Sequence, residues 1–276
     1  MRTGIYVLPS LLTAANLSLG FYSITASINQ DWSYAAWSIL ASIIVDILDG
    51  RTARWTNTTS QFGVEFDSLC DLISFGLAPA VMAYLLVLSD YGRIGFAIAL
   101  LYVICAALRL ARFNLKTHTG QQEEATPYFM GLPTPAAGGI LASFVILYDI
   151  WAEGKKARTI KLVMKQIPAF YHLLPGIVFV LSILMVSGLR YSSFKRMNMF
   201  KPKSIRAFLT TVLICLMIYI YPQNTIFVLF VGYICSGILE YVWRAYKLRG
   251  IPREGRDLKI ESPEGNSWEI RRKNIS

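Results

Sequence analysis

Apolar residues run along this chain in long blocks separated by short polar breaks, and the block lengths predict helices that cross a bilayer. A hydrocarbon layer about 30 Å thick needs roughly 20 apolar residues of helix. Blocks near that length lie at 8–28, 34–48, 69–88, 94–110, 135–150, 173–189, 208–221 and 226–246, which gives eight candidate spans. The second is short by itself and must continue as helix through the polar stretch that follows it; the seventh is short as well. The first runs on too long for a cleaved leader and lacks a small-residue cleavage site. From residue 250 onward the chain is polar, with mixed charge and prolines at Pro252 and Pro263, and it reads as a poorly ordered or interfacial tail.

Composition agrees with the pattern. The 276 residues are 54% hydrophobic and 16% charged, the balance of an all-α polytopic membrane protein rather than a soluble domain. The formal charge of +10 is concentrated in loops and in the tail. Such an excess sets topology and touches anionic head groups. It does not point to nucleic acid, because no stacking platform alternates with the basic residues. Arg2 precedes the first span, and lysines and arginines follow the second, fourth, sixth and eighth, so both termini are expected on the cytoplasmic side. One segment disagrees: Lys155, Lys156, Arg158, Lys161 and Lys165 fall where alternation puts an outer loop. Residues 152–171 there form either an amphipathic surface helix, with Ile160, Val163, Met164 and Ile167 toward lipid, or a solvated loop. Cys70, Cys105, Cys215 and Cys235 lie in apolar runs without metal-ligand spacing and are expected to be buried free thiols.

The polar stretch after the second block carries the chemistry. It reads Asp46-x2-Asp49-Gly50-x2-Ala53-Arg54-x8-Gly63-x3-Asp67-x3-Asp71. An ionisable residue at membrane depth is costly and by default functional. Asp46 and Asp49 are three apart and Asp67 and Asp71 four apart, so each pair shares a helix face. The intervening residues are long enough to turn the chain back, which would aim two pairs of carboxylates into one cavity. Oxygen ligands in that number suit Mg²⁺, Mn²⁺ or Ca²⁺, and paired metals are a common device for displacement at phosphorus. Gly50, Ala53 and Gly63 leave room against the backbone for a bulky group such as a nucleoside diphosphate. Arg54 could neutralise phosphate charge or brace a carboxylate, and Ser60 could offer a hydroxyl to the same pocket. Aspartates at helix ends are often only caps, but four unpaired acids in one apolar chain would be prohibitive without a cation.

At every fixed position this string resembles the signature of the CDP-alcohol phosphatidyltransferases. The resemblance implies a membrane core of six helices that moves a phosphatidyl group from CDP-diacylglycerol, or a related CDP-alcohol, to a hydroxyl acceptor with release of CMP. It implies two divalent cations, Mg²⁺ or Mn²⁺ with Ca²⁺ as a possible occupant, held by Asp46, Asp49, Asp67 and Asp71. Asp71 would also be the base. Asp49, Gly50, Ala53, Arg54, Ser60 and Gly63 would line the CDP pocket. The corresponding organisation is a catalytic core over 1–203, two further spans over 204–249 and a cytoplasmic tail over 250–276. A homodimer in a bacterial inner membrane, with the site facing the cytoplasm, is the expectation that goes with it.

Further segments are similar to the phosphatidylserine synthase branch: Pro9-Ser10-Leu11-Leu12-Thr13-Ala14-Ala15-Asn16, Ala111-Arg112-Phe113-Asn114, Phe129-Met130-Gly131-Leu132-Pro133-Thr134-Pro135-Ala136-Ala137, and Leu184-Met185-Val186-Ser187 with Tyr191-Ser192-Ser193-Phe194-Lys195. That resemblance implies L-serine as acceptor, with Arg109, Arg112 and Asn114 holding its carboxylate or the lipid phosphate. The arginines could equally be interfacial anchors. Asn16 lies within a span and needs a partner, either in the nucleotide pocket or on a neighbouring helix. Glycerol 3-phosphate or an inositol phosphate would keep the chemistry and change the acceptor. A cation transporter would use the aspartates but leaves the glycines unexplained.

Overall fold

A computed structural model of the chain describes residues 3–56, 61–118, 128–152, 167–192 and 205–249. The helices are α1 (Thr3–Ile28), α2 (Trp32–Thr56), α3 (Gln61–Asp71), α4 (Ala78–Leu86), α5 (Gly92–His118), α6 (Thr134–Ala152), α7 (Ile167–Val186), α8 (Ile205–Ile220) and α9 (Pro222–Arg249). A π-helical turn, Leu72–Leu77, joins α3 to α4, and a 3-10 turn, Leu88–Tyr91, leads into α5. Among the described residues five segments are long and apolar enough to cross a membrane: Ser10–Ile28, Trp32–Thr52, Gln61–Leu86, Leu88–Leu115 and Thr134–Ala152. They correspond in order to the first five apolar blocks. Tyr171–Val186 and Thr211–Ile220 are shorter apolar helices at the sixth and seventh. The chain divides into two compact units, Met1–Gly237 and Ile238–Ser276. The helices around the aspartates belong to the first. Ser60, most of the basic segment (153–166) and the tail lie outside the described residues.

As the short second block requires, α2 runs on as helix through the first half of the motif, to Thr56. It packs along α1 and also against α6. The contact face of α1 is a stripe of small and polar residues, Thr13, Asn16, Gly20, Ser23 and Ser27, all buried. Small residues let two backbones approach closely where lipid offers no hydrophobic drive for helix association. α6 is the most enclosed helix: every residue from Ala136 to Leu147 except Ile140 is buried. Gly138 and Gly139 make this possible on two sides. A Cβ on Gly138 would lie 3.2 Å from Pro79 Cγ, and one on Gly139 would lie 2.2 Å from the ring of Phe230 on α9. Cys70 and Cys105 are buried free thiols as expected, whereas Cys215 and Cys235 sit on exposed faces of α8 and α9. An apolar run in a membrane chain need not be enclosed by protein, because lipid accepts the same side chains.

The π turn has a local cause. Pro79 has no N–H, so the carbonyl of Phe75 four residues earlier loses its helical partner. The hydroxyl of Tyr102, itself fully buried, donates to that oxygen at 3.2 Å. The backbone N–H of Ala78 reaches back to Ile73, the five-residue step of a π-helix. The turn begins immediately after Asp71 and so sets the direction in which α3 delivers it.

The described residues depart from helix in one short antiparallel pair, β1 (Tyr128–Met130) with β2 (Arg190–Ser192). This departs from a purely helical expectation. Backbone groups at the end of a membrane bundle must be satisfied internally, and the chain leading to α6 does so against the chain leaving α7. Gly131 continues the pairing, its N–H bonding to Leu189 O at 2.8 Å, and Leu132 N–H reaches Leu184 O at 3.0 Å. Gly131 has φ of +80°, and a Cβ there would lie 2.3 Å from Met185 O, so only glycine fits.

Candidate active site

Two helices bring the motif together. Asp46 projects from α2, and Asp67 and Asp71 from α3; each offers a carboxylate oxygen within 4.8 Å of the others. At that separation each ionised pair repels by about 3.5 kcal/mol at an effective dielectric near 20. Asp67 Oδ1 is buried with no hydrogen-bond partner among the described residues. A hard divalent cation meets both demands, supplying charge and accepting oxygen ligands. The donor set therefore fits the metal that the motif implies.

Asp49 stands outside this group of three. It is buried, its Oδ2 accepts a 2.5 Å hydrogen bond from Thr13 Oγ1 on α1, and its Oδ1 has no partner among the described residues. Gly50 and Gly63 are half-buried on α2 and α3. Ala53 and Arg54 continue α2, but their side chains, like the whole of Ser60, lie outside the described residues.

The surrounding polar residues hold the carboxylates in place. Asn16 is fully buried and donates its Nδ2 to Asp71 Oδ1 at 3.0 Å. Ser42, one helical turn before Asp46, donates to Asn16 Oδ1, and Ser74 Oγ donates to the Asn16 carbonyl at 2.9 Å. Of the two roles open to Asn16, the structure thus shows bonding between helices, with the motif's last aspartate as the partner. Thr13 and Ser42 lie outside the motif string and join the site through these contacts. Their signal was periodic: Thr13 and Asn16 are one turn apart on α1, and Ser42, Asp46 and Asp49 line one face of α2.

The residues expected near an acceptor fall into two groups. Arg109 lies close enough to Asp71 to attract it electrostatically, and its Nη1 donates to Thr134 Oγ1 at 3.1 Å at the start of α6. Arg112 is exposed and donates to the Val186 carbonyl at 3.1 Å, tying α5 to the end of α7. Asn114 is engaged on both sides of its amide, accepting from Ser68 Oγ and donating to Glu65 Oε2, each at 3.0 Å. Both partners belong to α3 and flank Asp67, so Asn114 fixes the rotation of the helix that carries it. The three segments around Arg109–Arg112, Gly131–Thr134 and Val186, separate in the chain, thereby meet at one end of the bundle.

A sequence model of the CDP-alcohol phosphatidyltransferase family matches residues 6–170, which contain every one of these aspartates. The chain belongs to this family. Its relatives include the CDP-diacylglycerol–serine O-phosphatidyltransferase of Helicobacter pylori strain J99, 36% identical over 245 residues that cover 88% of this chain and 94% of the relative. The enzyme of the same designation from Mycobacterium leprae is 40% identical over 141 residues, 49% of this chain and 47% of the relative. The archaetidylserine synthase of Methanothermobacter thermautotrophicus is 38% identical over 146 residues, 52% of this chain and 60% of the relative. With its apolar helices the chain is a multi-pass membrane transferase of this family, and the cation-transporter alternative falls away.

Proposed function

We propose that the chain is a phosphatidylserine synthase, transferring the phosphatidyl group of CDP-diacylglycerol to the hydroxyl of L-serine and releasing CMP. The observation that carries the reaction type is the meeting of Asp46, Asp67 and Asp71 within 4.8 Å in a chain of this family. Serine as acceptor is supported by the designation of the Helicobacter relative, which is matched over 94% of its length.

Asp46, Asp49, Asp67 and Asp71 would hold two divalent cations, Mg²⁺ or Mn²⁺. Bound there, the cations would offset the charge of the pyrophosphate and of the departing CMP. Gly50, Ala53 and Gly63 would admit the nucleotide, with Arg54 and Ser60 at its rim. Asp71 takes the proton of the serine hydroxyl as that oxygen bonds to the diacylglycerol-linked phosphorus and the bond from phosphorus to CMP breaks. Arg109, whose Nη1 donates to Thr134 Oγ1, would receive the serine carboxylate or the lipid phosphate. Arg112 and Asn114 support that end of the site through the contacts they already make.

The wider organisation follows from the same reading. A six-helix core over 1–203 is followed by two further spans over 204–249, eight in all, and by a tail over 250–276. Both termini and the active site face the cytoplasm of a bacterial inner membrane, and the enzyme works as a homodimer. The deciding experiment measures CMP release by the purified protein from CDP-diacylglycerol with Mg²⁺ or Mn²⁺ and, in turn, L-serine, glycerol 3-phosphate and inositol phosphate. Serine-dependent release is expected. Release with glycerol 3-phosphate alone would reassign the acceptor, and release unaffected by chelation would remove the metals.

A further inference from the structure

The first helix carries no acidic residue and stands apart from the motif in sequence, yet it touches two of the four motif carboxylates. We propose that Thr13 and Asn16 are positioning residues, each engaging one oxygen of a motif aspartate, and that Ser42 braces the Asn16 amide from its other side. For Asn16 the inference rests on the reading of Asp71 as the base.

An amide placed beside a carboxylate can present either its NH₂ or its oxygen, and only the NH₂ makes a hydrogen bond to an ionised acid. Asn16 Nδ2 donates to Asp71 Oδ1 at 3.0 Å, and Ser42 Oγ–H donates to Asn16 Oδ1 from the other side. Asp71, an acceptor only, selects the NH₂, and the Ser42 hydroxyl satisfies and braces the amide oxygen left on the other side. Asn16 also holds the segment just beyond Asp71, because its carbonyl accepts from Ser74 Oγ at 2.9 Å. Gly20, one turn on, allows this approach: a Cβ there would lie 2.8 Å from Ser74 Cα. One oxygen of Asp71 is thus engaged by α1, which leaves the other for the reaction.

Thr13 acts in the same way on Asp49. Its hydroxyl engages Oδ2 at 2.5 Å, and the opposite oxygen, Oδ1, is buried with no hydrogen bond among the described residues. A carboxylate held on one side with a bare buried oxygen on the other is oriented for a cation. The face 13/16 of α1 is therefore an outer layer of the site, one step removed from the reacting atoms.

The test uses the full-length protein in detergent with two readouts. The first is Mn²⁺ binding without substrates, followed by electron paramagnetic resonance of the free ion. Thr13→Val keeps the shape and loses the hydroxyl, whereas Thr13→Ser keeps the hydroxyl. We expect Thr13→Val to weaken Mn²⁺ binding about tenfold or more and Thr13→Ser to restore it. Equal affinities for the two variants would overturn the role of Thr13. The second readout is kcat and KM. Asn16→Ala should lower kcat about 10- to 100-fold with both KM values within about threefold. Ser42→Ala should lower kcat by less, and the double variant should be no worse than Asn16→Ala alone, since Ser42 acts through Asn16. Losses that multiply would overturn the pairing. An Asp71→Asn control separates the two ideas. Full turnover there sinks the base assignment, while the Thr13 comparison, read without turnover, still decides its own case.

Discussion

Replacing Asp71 with asparagine sets two physical effects against each other, which makes the outcome diagnostic. Asp71 Oδ1 accepts a hydrogen bond from Asn16 Nδ2 at 3.0 Å. In the Asp71→Asn protein the orientation that keeps this bond puts the new NH₂ in the place of the other carboxylate oxygen. The variant then has a donor where the reaction needs a proton acceptor. Loss of a general base costs about 10²–10⁴ in rate. That is about 2.7–5.4 kcal/mol at 1.36 kcal/mol per decade. Stability should move the other way. Asp71 lies within 4.8 Å of both Asp46 and Asp67, and removing its charge relieves about 3.5 kcal/mol of repulsion for each ionised pair at an effective dielectric near 20. Relaxation and partial solvation would reduce that gain, so the expected sign is a metal-free protein no less stable than the parent. The assay is serine-dependent CMP release under saturating CDP-diacylglycerol, alongside thermal unfolding in chelator. The expected result is a kcat reduced at least about 100-fold and a thermal midpoint equal to or above the parent. A kcat near that of the parent would refute the base assignment. A fallen midpoint in chelator would refute the claim that the acids repel one another in the absence of metal.

Three further perturbations test how the scaffold presents the site. Gly131→Ala places a Cβ 2.3 Å from Met185 O at a φ of +80°; strain of about 1–3 kcal/mol should lower the thermal midpoint and raise the KM for serine, and an unchanged enzyme would disconnect the strand pair from the acceptor side. Tyr102→Phe leaves the Phe75 carbonyl in the π turn without its side-chain donor; a destabilisation of about 1–3 kcal/mol with reduced kcat is expected in unfolding and CMP-release assays, and neither would occur if the turn held itself. Gly139→Val drives a side chain into the ring of Phe230, 2.2 Å from where its Cβ would sit; a loss of about 1–3 kcal/mol is expected, partly recovered by adding Phe230→Ala, and a loss that the second change does not relieve would place the strain elsewhere.

The sequence by itself determined the elements and the reaction type. Long apolar blocks can only be membrane helices, because a bilayer leaves backbone groups no other partner. The first five predicted spans are present, and α2 continues through the motif as its short apolar block requires. The aspartate spacing likewise foretold two acids per helix face, since the helical repeat is a local property. Tertiary structure decided what depends on which helix lies beside which. It set Thr13 of α1 against one oxygen of Asp49. It gave Asn16 to Asp71 and brought Asn114 against Glu65 and Ser68. It also joined β1 to β2 from distant parts of the chain, Met130 pairing with Arg190. The π turn lay between the two kinds of knowledge: Pro79 announces a missing N–H in the sequence, but only packing brought Tyr102 to the orphaned carbonyl. Periodicity fixes the face a side chain occupies, and the partner it meets there is a property of the assembled bundle.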